Sequence, residues 1–212
     1  MIKRSETRSR DWLVNQEGQC QPRPSSRDWN LIRENYYLHQ FLSEILELLT
    51  HAREAEEEWD YLPQIRMRVR QLVTNSYWLR TQYLDPDPKT GVAVQTLYDE
   101  IGYPLTVQTV TFAPGATSSI HNHGTWGVTA VLKGQEKHTF WRRSPAPECP
   151  HRIEPVGEKI LATDQIISFV PEAIHQVESA GDEMTVTFQI YGDTQPRSRF
   201  QFDPILHTAK PF

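Results

Sequence analysis

From Asn30 to about Glu58, apolar positions recur at Leu31, Tyr36 or Leu38, Phe41 or Leu42, Ile45, Leu48 and Leu49, the spacing of one helix face. Asp28 is placed to cap this helix, and the acidic run at residues 53–58 reads as its solvated face. A second helix is predicted after Asp60, with Pro63 in its first turn. Ile65, Val69, Leu72 and Val73 share its apolar face, and Arg66, Arg68 and Arg70 between them are expected to stay in water. The polar opening, including QPRPSSRD at residues 21–28, reads as a loop or frayed arm.

The stretch DPDPKTG, residues 85–91, ends the helical pattern. Beyond Gly91 come short β-branched and aromatic segments: VAVQTLY, LTVQTVTF, GVTAVLKG, EKHTFWR, IISFV and MTVTFQIY. Turn residues separate them and no helix intervenes, so they predict an antiparallel sandwich or barrel. The fold class is mainly β: a helical N-terminal region over residues 1–90 packed on a barrel over 91–212. In the last strand Thr185, Thr187, Gln189 and Tyr191 share one face, and Met184, Val186, Phe188 and Ile190 the other. That polar row faces either water or a pocket.

Composition narrows the function. A net charge of −5 speaks against a nucleic-acid surface, which carries a basic excess. No apolar run approaches the roughly 20 residues needed to cross a bilayer. The charged start lacks the apolar core of a secretory signal, and Cys20 and Cys149 lie far apart without metal-site spacing. These features predict a cytoplasmic protein with reduced thiols, binding neither nucleic acid nor membrane, as a monomer or homodimer.

Candidate chemistry lies in the histidines. His121 and His123 flank one residue, and in extended backbone both imidazoles reach the same side. Gly115 precedes them, Gly134 follows, and Pro171 stands four residues before His175. His138, in a strand segment, is expected on the strand surface; His39, His51, His151 and His207 show no partner pattern. Trp126 is either a pocket wall or a core aromatic.

Gly115, His121, His123, Gly134, Pro171 and His175 resemble the two sequence motifs of the cupin superfamily, which implies a double-stranded β-helix barrel with His121, His123 and His175 as metal ligands. Where that pattern has a glutamate ligand, this chain reads GTWG at residues 124–127. Three neutral imidazoles would leave a divalent ion its full double charge and open positions, favouring a thiolate or an enolate. The all-histidine set, SSIHNH and TVTFQIYG resemble the cysteine dioxygenase-like thiol dioxygenases. The resemblance implies ferrous iron, with nickel, zinc or manganese as other ions, and a small thiol and dioxygen as substrates. It puts Tyr191 beside the ion as the catalytic side chain, and Trp126, Thr187 and Gln189 around the substrate. Gly127 and Val128 stand where the animal enzymes carry a crosslinking cysteine. Gln189 replaces the relay histidine of that group, and VQTLY at residues 94–98 lacks its carboxylate-binding arginine. Arg80, Arg142 and Arg143 are expected to be surface arginines. Two further readings stay open: a three-histidine oxygenase of an enolisable substrate such as a diketone, and a metal-binding cupin without turnover.

Overall fold

The computed structural model describes residues 10–25, 36–52, 61–100, 102–193 and 197–211 of the 212-residue chain. Two hairpin strands come first, β1 (Asp11–Val14) and β2 (Cys20–Arg23). Three helices follow: α1 (Leu38–Ala52), α2 (Leu62–Asn75) and α3 (Tyr77–Thr81). The remaining strands are β3 (Val92–Asp99), β4 (Thr106–Phe112), β5 (Ile120–His121), β6 (Gly127–Lys133), β7 (Gln135–Arg143), β8 (Ile153–Ala162), β9 (Ile166–Phe169), β10 (Ile174–Ala180), β11 (Thr185–Tyr191), β12 (Phe200–Asp203) and β13 (Thr208–Pro211).

One sheet runs β2-β1-β9-β6-β11-β4-β3, the other β13-β12-β5-β10-β7-β8. Within them the quartets β4-β11-β6-β9 and β5-β10-β7-β8 interleave along the chain. This is the strand order of a double-stranded β-helix, the jelly roll of cupin barrels. Pairing is antiparallel except between β1 and β9.

Pleat alternation divides the first sheet. Val128, Ala130, Leu132, Val186, Phe188 and Ile190 point outward and join Phe41, Ile45, Ile65, Val69 and Leu72 of the helices in the largest apolar cluster. Their alternates face the barrel interior. Phe41 meets Phe188 edge-on at 5.9 Å between ring centres, so the helical layer covers this sheet as a lid of side chains. Pro63 sits in the first turn of α2 as predicted. The expected cap Asp28 and the acidic run at 53–58 lie outside the described residues.

Three expectations are corrected. The polar opening is not all loop: residues 11–14 pair in parallel with β9 and extend the first sheet. Arg66 and Arg70 are buried under that extension, Arg70 against Asp11 and the Asp164 carbonyl, Arg66 donating to Ser168 Oγ at 2.9 Å. Arg68 is half-buried and pairs with Glu44 of α1 at 2.7 Å. The cations went inside because the Asp11 carboxylate of β1, the Arg10 and Asp164 carbonyls and the Ser168 hydroxyl of β9 answer them. The strand β8, which the hydrophobic pattern does not reveal, is an exposed edge carrying Pro155 and Gly157, residues that edge strands tolerate. Among the described residues no helix is long and apolar enough to cross a membrane.

Candidate metal centre

His121 ends the short strand β5, where it pairs with His175 of β10 on one side and Gln201 of β12 on the other. His123 follows in the loop leading to β6. The residue between them makes that loop rigid. Asn122 accepts a hydrogen bond from the Phe200 amide at 2.8 Å and donates to the carbonyls of Ser198 at 2.7 Å and Pro171 at 3.3 Å. The Gly124 amide also donates to the Pro171 carbonyl, at 3.2 Å. The His-Asn-His segment, the turn before His175 and the lead-in to β12 are thereby tied together.

The three imidazoles converge. His123 Nε2 lies 3.2 Å from His121 Nε2 and 3.0 Å from His175 Nε2. Metal–nitrogen bonds of about 2.0–2.1 Å meeting near right angles place neighbouring nitrogens about 3 Å apart, as these two pairs are, and the three ligand nitrogens all lie within 4.8 Å of one another. Hydrogen positions fit as well. His121 Nδ1–H donates to the Ser119 carbonyl at 2.9 Å, and His175 Nδ1 is occupied by His138 at 3.2 Å, so both Nε2 lone pairs face inward. Burial holds His121 down at about 4, and holds His123 and His175 well below the ordinary histidine value. All three are neutral at pH 7, the form that binds metals. A single N–H on His123 Nε2 cannot satisfy two inward lone pairs, whereas one divalent ion satisfies all three nitrogens. These residues fit a metal ion, and among the described residues they form the one cluster with such geometry.

Facing them is the polar row of β11. Tyr191 packs edge-on against the His123 ring, 4.6 Å between centres. Gly127 makes this contact feasible: a Cβ there would stand 2.9 Å from the Tyr191 ring and 3.0 Å from His123 Nδ1. The Tyr191 hydroxyl donates to Gln189 Oε1 at 2.7 Å, which also accepts from Gln108 Nε2 at 2.9 Å. Gln189 Nε2 in turn donates to Thr187 Oγ1 at 3.1 Å. Burial, and then the charge of Glu136, push the Tyr191 phenol well up, so it stays protonated. The β11 row therefore faces the barrel interior, not water: Gln189 and Tyr191 line the pocket, while Thr185 and Thr187 are buried outside its lining, bonded to the Gln135 and Val110 carbonyls.

Between the walls is a cavity of about 260 Å³. Its lining is graded along β4, from Thr106 and Gln108 beside Tyr191 to Val110 and Phe112 at the other end. Arg199 also lines it, brought there by the Asn122 contacts to its two neighbours. Arg80 pairs instead with Asp164 and Arg142 with Glu154, while Arg143 lies over the Phe202 ring. The sequence signal for Arg199 was weak: it stands eight residues past Tyr191 in a segment without periodicity.

Two expectations change here. Trp126 is a core aromatic: it packs edge-on against Tyr61 in the helix-side cluster and does not line the cavity. It precedes Gly127 by one, so the pleat turns it outward. His138 is not on the strand surface. It is 1% exposed, lines the cavity wall and donates from Nε2 to Glu136 Oε2 at 2.8 Å. Inward alternation of Glu136, His138 and Phe140 on β7 could have shown this, had Phe140 been taken to set the buried parity.

No known family profile matches the chain, and no curated protein matches it in sequence. Solved structures that resemble it carry the cupin fold. An oxalate oxidase complexed with glycolate superposes with a TM-score of 0.41 at 17% identity, over 58% of this chain and 61% of its own. A cupin superfamily protein from Desulfitobacterium hafniense gives 0.37 at 16% identity, over 48% of this chain and 76% of its own. An RmlC-like cupin from Shewanella frigidimarina gives 0.40 at 16% identity, over 55% and 88%. The chain thus spans less than two thirds of the oxalate oxidase chain. The fold assignment rests on the strand order itself.

Proposed function

We propose that the protein is a metal-dependent oxygenase that converts a small anionic thiol to its sulfinate, with ferrous iron at His121, His123 and His175. The observation that supports this most is the convergence of three neutral imidazoles, with no carboxylate among them, opposite Tyr191 and Arg199. When bound, such an ion supplies Lewis acidity for a thiolate and, as ferrous iron, redox chemistry towards dioxygen.

The chain's own residues orient and exclude. Arg199 offers a fixed positive charge to the anionic end of a substrate. Tyr191 keeps its proton, and rotation of its O–H swings that hydrogen from Gln189 Oε1 towards an oxygen or sulfur in the cavity. Gln189 cannot take the proton, so the phenol acts as a hydrogen-bond donor and not as an acid relayed through a base. The apolar end at Val110 and Phe112 excludes water. The overall change, RSH + O2 → RSO2H, balances internally: sulfur loses four electrons, dioxygen gains four, and both oxygen atoms stay in the product.

An enolisable diketone is the second reading, favoured by the amide at Gln189 in place of a titratable group. Oxygen uptake by anaerobically iron-loaded protein, with a panel of mercapto acids and diketones, separates the two. Uptake with a thiol, with sulfinate as product, is expected. Uptake with diketones alone establishes the second reading, and no uptake above the metal-free background for either class removes both.

A further inference from the structure

Glu136 is fully buried in the barrel, with no exposed surface, and its Oε1 has no hydrogen-bond partner among the described residues. Removing a carboxylate from water costs several kcal/mol unless something inside answers its charge. On β10 the facing residue is Ser179, whose hydroxyl bonds Thr185 and the Glu183 carbonyl and not the carboxylate. Among the described residues, the one bond the Glu136 carboxylate accepts comes from His138 Nε2, at 2.8 Å.

His138 continues the line. Its ring is stacked on His175, 5.4 Å between centres and 10° between planes, with Nδ1 to Nδ1 at 3.2 Å. Since His138 Nε2–H donates to Glu136, its Nδ1 is an acceptor, and the hydrogen between the rings belongs to His175 Nδ1. That leaves the His175 Nε2 lone pair aimed at the other two imidazoles. Phe169 packs on both rings, at 5.6 Å from His138 and 4.3 Å from His175, and Phe140 stacks on His138 at 6.2 Å, so apolar rings flank the line.

We infer that Glu136 and His138 are positioning residues: a buried carboxylate–imidazole–imidazole line that fixes the tautomer of His175 and delivers to the metal, through two hydrogen bonds, negative charge that no carboxylate ligand supplies directly. The inference rests on the reading of His121, His123 and His175 as ligands. It revises the charge argument drawn from the missing glutamate ligand. An ion held by His121, His123 and His175 would keep open positions, yet its double charge would be met by a carboxylate two rings away. Partners of this kind orient the ligand, raise its basicity and tune metal affinity. The same negative charge reaches across the cavity, where it is the second cause, after burial, of the raised Tyr191 phenol.

The test is cobalt(II) binding to the full chain by chelator competition, with the visible spectrum of the loaded protein recorded beside it. Glu136→Gln keeps an acceptor for His138 and removes the charge; His138→Phe keeps the ring packing and cuts the line. Each is expected to weaken cobalt binding by about 10- to 100-fold and to shift the ligand-field bands. If one variant does not fold, the other carries the test. A purely structural role would lower the melting temperature equally with and without metal while leaving affinity and spectrum as in the wild type, and that result overturns the line alone. Wild-type protein that binds no cobalt overturns both the line and the ligand assignment beneath it.

Discussion

The two walls of the cavity are made from the same pleat and do opposite things. On the wall of β5, β7 and β10, the outward nitrogens of His121 and His175 are engaged by the Ser119 carbonyl and His138, so lone pairs are what the cavity sees. On the wall of β4, β6 and β11, with Arg199 beside it, the cavity sees a phenol hydroxyl, amides and a guanidinium. One wall is a seat for a cation and the other a seat for an anion or an electron-rich atom. A ligand bridging them would be held at both ends, which is what the proposed reaction asks of the barrel interior.

The comparison predicts that the walls separate under mutation. The largest effect is expected on the histidine side: His123→Ala should weaken metal binding by more than the roughly 10- to 100-fold typical of outer partners, as equilibrium dialysis would show. Next comes Tyr191→Phe, which leaves affinity for the ion near wild type while turnover falls by about 100-fold, the scale for losing one directed donor. Equal loss of metal affinity and turnover in Tyr191→Phe would merge the two walls into one. Gly127→Ala strikes the seam, where the added methyl meets both Tyr191 and His123; it should destabilise by about 1–3 kcal/mol in denaturant unfolding.

The smallest effect is a pH dependence. His123 and His175 stay neutral in the folded protein well below pH 6.5, whereas the unfolded chain protonates them there. The unfolded state then binds more protons, so stability of the metal-free protein is level above about pH 6.5 and declines on acidification. Thermal melts between pH 8 and 5 read this directly. A melting temperature that rises towards pH 5 would contradict the buried, neutral triad.

How much of this was legible in the sequence varied with the range of the contacts involved. The triad was readable because one-residue spacing on extended backbone puts His121 and His123 on one side, and because the resemblance to the cupin motifs picks out His175 as their partner. The β11 row was readable as a face, and β11's own alternation decided which way it pointed once Phe188 and Ile190 had helices to pack against. Arg199 was not readable. Its place depends on Asn122, whose hydrogen bonds join segments nearly eighty residues apart. Buried Arg66 and Arg70 depend likewise on β1 pairing with β9, a contact between residues 11–14 and 166–169 that no local pattern announces. His138 was expected on the surface because a polar side chain on a strand usually faces water. Inside the barrel the Glu136 carboxylate is met by His138 Nε2.

The central claim is that His121, His123 and His175 bind one metal ion. Anaerobic titration of the metal-free protein with ferrous iron tests it most directly, with His121→Ala and His175→Ala measured alongside. The account predicts saturation at a single ion per chain in the wild type and no tight binding in either variant, with far-ultraviolet circular dichroism unchanged. The same stoichiometry and affinity in all three proteins would contradict it.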